Sequence, residues 1–201
     1  MELVLQDNKL ESYLKESDII DYKSNILSGY ANTLVNGIDN NTDQIKAIYE
    51  FVRDKISHSF DIGADNVTCR ASEALINKHG ICYAKSHLLT ALLRSIGVPT
   101  GFCYQGLIFD DVSDRRIVLH GLVGVYIKEI DKWIRLDARG NKPGVNAQFS
   151  LAEERLAFPI RKELGEFDSN IIYSEPTESV QLCLLKSKNR NELILNLPEK
   201  L

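Results

Sequence analysis

Cys82 is the side chain whose position best suits covalent chemistry. It directly follows Gly80 and Ile81, and the residues after it, 84–96, are apolar around most of a predicted helix. A cysteine at the start of a helix faces free backbone N–H groups and the positive end of the helix dipole, which stabilise a thiolate over a thiol. Because the thiolate is the reactive form, this position predicts a cysteine nucleophile.

A cysteine nucleophile needs a base, and His120 and Asp137 are spaced to supply one with its orienting group. His120 is a polar residue inside an apolar segment, and Asp137 follows a second apolar segment, 133–136. If the chain turns at 128–132, the two segments form adjacent antiparallel strands, and this pairing brings His120 to the Asp137 end of its neighbour. A helix packed on that sheet can present Cys82 to both side chains.

The other cysteines and histidines carry less chemical signal. Cys103 and Cys183 lie in apolar segments, where cysteine usually acts as a small buried hydrophobe, and a structural role is favoured for Cys69 in a polar loop. No C-x-x-C, H-E-x-x-H or H-x-H pattern occurs, so the spacing favours no metal site. His87 is rotated about 140° from Cys82 on the helix, which favours a polar contact with a neighbour over a role as the base.

Hydrophobic periodicity indicates which elements position these side chains. Four segments with helical spacing are predicted: 24–34, 41–56, 71–78 and 82–96. We expect Asn41 or Thr42 to cap the second helix, Gly80 to end the third in a left-handed conformation, and Gly97 to end the fourth.

After Pro99 the period of the apolar residues changes to two. Strands are predicted over four segments: 100–105, 117–127, 133–136 and a late strand over 180–185. Helices followed by antiparallel strands, with a buried helix against the sheet, indicate an α+β fold and not a doubly wound parallel sheet.

Length, composition and charge exclude several classes of protein. A chain of 201 residues with 44% hydrophobic and 26% charged residues is ordinary for one folded domain. A net charge of −4 argues against nucleic acid as the main partner, and no apolar run is long enough to predict a membrane span. The first residues, which include Glu2 and Asp7, lack the pattern of a signal peptide. We therefore expect a cytoplasmic protein without structural disulfides.

Three blocks of the sequence resemble the transglutaminase-like superfamily. Residues 80–99, with a Gly-x-Cys start and a Leu-Leu-Arg-x-x-Gly-Val-Pro end, are similar to its nucleophile helix, and His120 with Gly121 and residues 133–137 resemble its histidine and aspartate blocks. The resemblance covers about residues 43–142. It implies a papain-like α+β fold in which a central nucleophile helix packs on an antiparallel sheet beside N-terminal helices. We expect a single domain over 1–201, with extensions packed on that core.

The resemblance also implies a role for each residue of the candidate triad. Cys82 is the expected nucleophile, His120 the general base and acid, and Asp137 the residue that orients the imidazole. The expected reaction is attack of the thiol on a carboxamide or peptide carbonyl, release of an amine, and formation of a thioester that water or a second amine resolves.

The oxyanion site is less well defined by the sequence. The Cys82 backbone N–H is one expected donor, and Tyr49, His58 and Ser59 are candidates for a second donor near the site. Tyr83 stands where the family often has tryptophan.

Four other polar residues are assigned by position alone. Lys85 and Arg94, on the nucleophile helix, are expected to be solvated or helix-end charges. Arg139 and Asn141 follow Asp137, and they either shape the site or hold the turn.

Three functions fit this pattern. A peptidase or amidase is favoured over a transglutaminase or small-amine acyltransferase, because no D-x-D-x-D-G loop marks the calcium site that would accompany the large cross-linking enzymes. A non-catalytic scaffold or binding domain is disfavoured, since the cysteine and the histidine are both retained. The expected partner is a protein, peptide or small amide substrate, and we expect no cofactor.

Overall fold

The computed structural model describes residues 1–201. It contains six α-helices: α1 (Asn25–Val35), α2 (Asn41–Lys55), α3 (Ala71–Asn77), α4 (Cys82–Ser95), α5 (Glu178–Lys186) and α6 (Arg190–Asn196). The strands are β1 (Val4–Leu5), β2 (Ser57–His58), β3 (His79–Gly80), β4 (Thr100–Asp110), β5 (Asp114–Ile127), β6 (Lys132–Leu136), β7 (Phe167–Asp168) and β8 (Ile171–Ile172). No helix has the combination of length and apolar character that crossing a bilayer requires. The predicted α+β class is confirmed.

The main sheet has four antiparallel strands in the order β6-β5-β4-β7. The hairpin between β5 and β6 turns through a single 3-10 turn, Lys128–Ile130, and the left-handed residue Asp131, so the predicted turn is confirmed. Because Val123 pairs with Leu136, the residues just beyond this pair on the two strands lie at the same end of the hairpin. Two short parallel pairs, β1-β8 and β2-β3, form separate two-stranded sheets.

Helix α4 is the centre of the fold. Every residue from Tyr83 to Arg94 is buried, and the helix packs on α1, α2, α3 and strand β5. Its four buried leucines each stabilise the fold by about 1.5–3 kcal/mol relative to an exposed side chain. Gly121 on β5 allows close approach of the helix, since a Cβ there would lie 2.7 Å from Cδ1 of Tyr83.

The ends of three helices differ in detail from expectation. Helix α4 ends at Gly97 as predicted, with a φ of 79°. The left-handed residue after α3 is Lys78, not Gly80, which instead lies in β3. A Cβ at Gly80 would lie 2.8 Å from the Ala84 Cβ, so glycine is required there for packing and not for its φ. Asn40, not Asn41 or Thr42, caps α2 by accepting a hydrogen bond from a backbone N–H.

The strand predicted over 180–185 is wrong, because these residues lie in helix α5. The buried residues of this helix are Val180, Cys183 and Leu184, at spacings of three and four that place them on one helical face. A short apolar run cannot be assigned from its pattern alone, and here packing of one face decides in favour of the helix.

Lys85 and Arg94, expected to be solvated or helix-end charges, are not solvated, since both side chains are buried, but Arg94 does lie in the last turn of α4. The Lys85 ammonium donates hydrogen bonds to the carbonyl oxygens of Arg53 and Ile56, at the end of α2. The Arg94 guanidinium donates to the Thr100 carbonyl at 3.0 and 2.8 Å. Each side chain therefore donates to backbone carbonyl oxygens of a neighbouring segment and ties α4 to that segment.

Candidate active site

Cys82 is the first residue of α4, and no side chain caps the start of this helix. Its sulfur accepts a hydrogen bond from the Gly121 backbone N–H on β5, with an N–S distance of 3.5 Å. Cys82 is partly exposed, whereas the other three cysteines are buried and all four are free thiols. The cysteine therefore lies where the uncapped helix start, the sheet and solvent meet.

The hairpin brings His120 and Asp137 into direct contact. The distance from His120 Nε2 to Asp137 Oδ2 is 2.8 Å, which leaves Nδ1 as the ring nitrogen available to another group. Asp137 is 1% exposed, and its carboxylate also accepts backbone N–H groups of Arg139 and Ala157, each at 3.0 Å. The edge of the Phe158 ring packs against the imidazole, with ring centroids 5.3 Å apart. These contacts fix both the position and the orientation of the imidazole.

The electrostatics of the pair favour its charged form. Burial alone would lower the pKa of His120, but the charge and hydrogen bond of Asp137, with a further contribution from the adjacent Cys82 thiol, raise that pKa to about 10. Burial alone would raise the pKa of Asp137, and the His120 charge together with three hydrogen bonds lowers it instead. The imidazolium and the carboxylate thus stabilise each other in a site that would reject either charge alone.

Cys82 and His120 line one wall of a cavity of about 520 Å³. Most of its other lining residues are apolar, and they come from strands β4 and β5, from Phe60 after β2, from Ile81 before α4, from the segment 158–166 and from Leu197 near the C-terminus. The cavity gives the sulfur and the imidazole a shared opening of the size usual for a small-molecule or side-chain site.

Of the three side chains considered for the oxyanion site, only His58 lines this cavity. The parallel pair β2-β3 holds His58 opposite Gly80, just before α4. Its buried Nδ1 has no hydrogen-bond partner, and burial, followed by the Arg139 charge, lowers the pKa of His58 well below its usual value. Tyr49 instead donates to the Asp137 carbonyl oxygen at 3.1 Å, and Ser59 bonds His79.

Arg139 and Asn141, each expected either to shape the site or to hold the turn after Asp137, have different roles. Arg139 lines the cavity and forms a two-pronged ion pair with Asp61, which lowers the pKa of that carboxyl. Asn141 exchanges two hydrogen bonds with the backbone of Ala147, at 3.1 and 2.7 Å. Arg139 therefore shapes the site, and Asn141 holds the turn.

The remaining buried thiols and His87 have structural roles, as expected. Burial raises the pKa of Cys69, Cys103 and Cys183 to about 12 in each case. His87 Nδ1 lies 2.7 Å from the Cys69 carbonyl oxygen. Because a carbonyl oxygen only accepts, Nδ1 carries the proton and donates this hydrogen bond. None of these four side chains lines the cavity.

Sequence reasoning missed the contributions of Ala157, Phe158 and Leu197 to this site. Ala157 acts through its backbone N–H, so its side chain gives no signal, and the other two are ordinary apolar residues far from Cys82 in sequence. The one sequence signal for this group is Phe158 itself, an aromatic residue next to Pro159 in a segment with no predicted helix or strand.

Comparison with known proteins agrees with this architecture. The profile described as the transglutaminase-like superfamily matches residues 28–138, more than half of the chain. The fold is similar to that of a candidate cysteine protease from Cytophaga hutchinsonii, with a TM-score of 0.54 and 21% identity over 66% of this chain and 43% of that one. The chain thus spans less than half the length of that protein.

Two further solved structures show weaker similarity. A candidate protease from Parabacteroides distasonis has a TM-score of 0.41 and 14% identity, over 75% of this chain and 30% of that one. A protein described as a TGase has a TM-score of 0.39 and 16% identity, over 78% of this chain and 42% of that one. No curated protein matches the sequence significantly.

The exposure of the thiols predicts selective alkylation. With limiting iodoacetamide at neutral pH, we expect Cys82 to react at least about tenfold faster than Cys69, Cys103 or Cys183, because buried thiols react only when the structure opens. Peptide mapping by mass spectrometry measures the four rates, and Cys82→Ser removes the fast reaction. Equal labelling of all four thiols would contradict the geometry.

The buried ion pair predicts a pH effect at Asp137. In Asp137→Asn the pKa of His120 should fall from about 10 to below 6.5, because burial then acts without the carboxylate. In the wild type this contribution to folding stability is present below pH 6.5 and is lost as the pH rises towards 10. NMR titration of the ring nitrogens, assigned with His120→Gln, measures the shift. The same His120 pKa in both proteins would show that Asp137 does not set it.

Proposed function

Since the chain belongs to the transglutaminase-like superfamily, we propose that it is a thiol-dependent enzyme that cleaves an amide or peptide bond. In this proposal Cys82 is the nucleophile, His120 the general base and acid, and Asp137 the residue that orients His120. The observation that carries it is the buried His120–Asp137 hydrogen bond of 2.8 Å next to the partly exposed residue Cys82. A structural histidine would not need a buried carboxylate and an opening shared with a free thiol.

Acylation starts after the Cys82 thiol proton has moved to Nδ1 of His120, because Asp137 already favours the imidazolium in the resting site. The sulfur attacks the carbonyl carbon, the C–S bond forms, and the carbonyl electron pair moves to the oxygen. Collapse of this intermediate breaks the C–N bond, and Nδ1 returns its proton to the departing amine nitrogen. Because Asp137 raises the pKa of His120 to about 10, the ring can hold the proton between these two transfers.

Deacylation reverses the role of His120. A water molecule gives a proton to Nδ1 while its oxygen bonds to the thioester carbon, and the C–S bond then breaks. The sulfur regains the proton, and a carboxylic acid leaves. Hydrolysis is the favoured outcome because it needs only water and the groups already at the site. An amine acceptor would follow the same path and would yield a new amide.

Two groups are suited to stabilise the oxyanion. The Cys82 backbone N–H lies at the uncapped start of α4. The positive end of the helix dipole there stabilises the negative charge that develops on the carbonyl oxygen beside the sulfur. His58 lines the same cavity, and its lowered pKa keeps the ring neutral, with one N–H to donate. His58 lies on β2 opposite Gly80, so it would supply a second donor that does not belong to α4.

Formation of a covalent acyl-enzyme tests the proposed function. With p-nitrophenyl acetate, we expect a burst of one nitrophenolate per enzyme and an acetyl group on Cys82, detected by absorbance and by peptide mass spectrometry. Cys82→Ser should give no burst, and His120→Ala should slow it by about 100-fold or more. Cys183→Ser, which changes a buried thiol outside the cavity, is the matched control. An undiminished burst in Cys82→Ser would refute the proposal.

The role of His58 is tested in the same assay. His58→Ala should slow acylation by about 10- to 100-fold, since one oxyanion donor is lost. His79→Gln, on the neighbouring strand but outside the cavity, should acylate at close to the wild-type rate. If His58→Ala acylates as fast as the wild type, His58 is not an oxyanion donor.

A further inference from the structure

The cavity beside Cys82 is built mainly of hydrocarbon. Ten of its eighteen lining residues are hydrophobic, and they include Ile81, directly before Cys82, and Leu119, directly before His120. Its volume of about 520 Å³ exceeds what the two reacting side chains need and leaves room for a large side group of a substrate. The apolar surface is continuous with the sulfur, so a group bonded to that sulfur would lie against it.

Three aromatic rings line the cavity near the reacting atoms. Phe60 packs edge-on against His58 and against Phe109, with ring centroids 5.5 and 6.3 Å apart. Phe158 packs edge-on against His120, with ring centroids 5.3 Å apart. Phe60, Phe109 and Phe158 all keep partial exposure, so each presents apolar ring surface to the cavity. Ring surface of this kind gains free energy when an apolar group covers it.

Both arginines of the cavity are already paired with carboxylates. Arg139 is held by Asp61, with one N–O distance of 2.9 Å. Arg161 bonds both Asp111, at 2.9 and 2.8 Å, and the buried carboxylate of Glu166, at 3.0 Å. The cavity therefore offers no free cation to an acidic substrate group. Its one carboxylate without a cation partner, Asp110, is exposed and already accepts three hydrogen bonds from Val112 and Ser113, so a charged substrate group would lose water for little gain.

From these observations we propose that the cavity binds the acyl side of the substrate and selects an aromatic or large aliphatic group next to the scissile bond. This inference rests on the proposed function. The acyl group is the part that stays bonded to Cys82 in the thioester, so a cavity continuous with the sulfur can hold it through both chemical steps. The amine is released in the first chemical step, so it does not need to stay bound in the cavity and leaves towards solvent.

Five blocked amino-acid chloromethyl ketones that differ only in the side chain test the selection. The side chains are those of Phe, Leu, Gly, Glu and Lys, and the measured quantity is the second-order rate of alkylation at Cys82, normalised to the rate with iodoacetamide. We expect the Phe and Leu reagents to react at least about tenfold faster than the Glu, Lys and Gly reagents, from burial of one apolar side chain.

Two outcomes separate this inference from the function on which it rests. Equal normalised rates with all five reagents, or a preference for a charged one, while iodoacetamide labels Cys82, would overturn the apolar selection alone. No reaction at Cys82 with any reagent, iodoacetamide included, would overturn both the selection and the proposed function.

Shortening one wall of the cavity gives a second, independent readout. In Phe109→Ala the ratio of the Phe rate to the Gly rate should fall by about threefold or more, because the ring that covers the substrate group is lost. The ratio is taken within one protein, so a smaller folded fraction affects both rates equally. Leu185→Ala, which removes an exposed side chain outside the cavity, should keep the wild-type ratio. An unchanged ratio in Phe109→Ala would count against the proposal.

Discussion

The hydrogen bond between His120 and Asp137 is the interaction on which the site depends. A buried carboxylate is costly unless every oxygen is satisfied, and here the imidazole and two backbone N–H groups satisfy it. One N–H belongs to Arg139, two residues after the carboxylate, and the other to Ala157 in a distant loop. The loop after β6 is thereby tied to the hairpin, and the imidazole has one orientation in which its second nitrogen is free.

The packing of α4 on β5 places the Cys82 sulfur against the backbone N–H of Gly121, the residue directly after His120. Gly121 serves twice: its missing Cβ lets Tyr83 approach the strand, and its N–H contacts the Cys82 sulfur. The Tyr83 hydroxyl also donates to the Leu119 carbonyl oxygen on the same strand. Helix α4 therefore contacts β5 at Leu119 and Gly121, one residue on each side of His120. The packing of the core thus sets the position of the sulfur relative to the imidazole.

The sequence predicts this part of the structure because its signals are local. The helix start at Cys82 follows from apolar periodicity, and the contact of His120 with Asp137 follows from a short hairpin whose register is set by its turn. Lys85 and Phe158 show why the rest was not predictable. Burial of the Lys85 ammonium depends on carbonyl oxygens of another helix, and the place of Phe158 over His120 depends on a loop 38 residues away. Such partners are set by tertiary packing, which leaves no periodic pattern.

The most direct measurement is a crystal structure of the protein after Cys82 has reacted with a chloromethyl ketone. The account predicts a covalent bond at the Cys82 sulfur, His120 Nδ1 within hydrogen-bond reach of that sulfur or of the inhibitor oxygen, and Nε2 still bonded to Asp137. An imidazole turned away from the sulfur, with its bond to Asp137 broken, would contradict it.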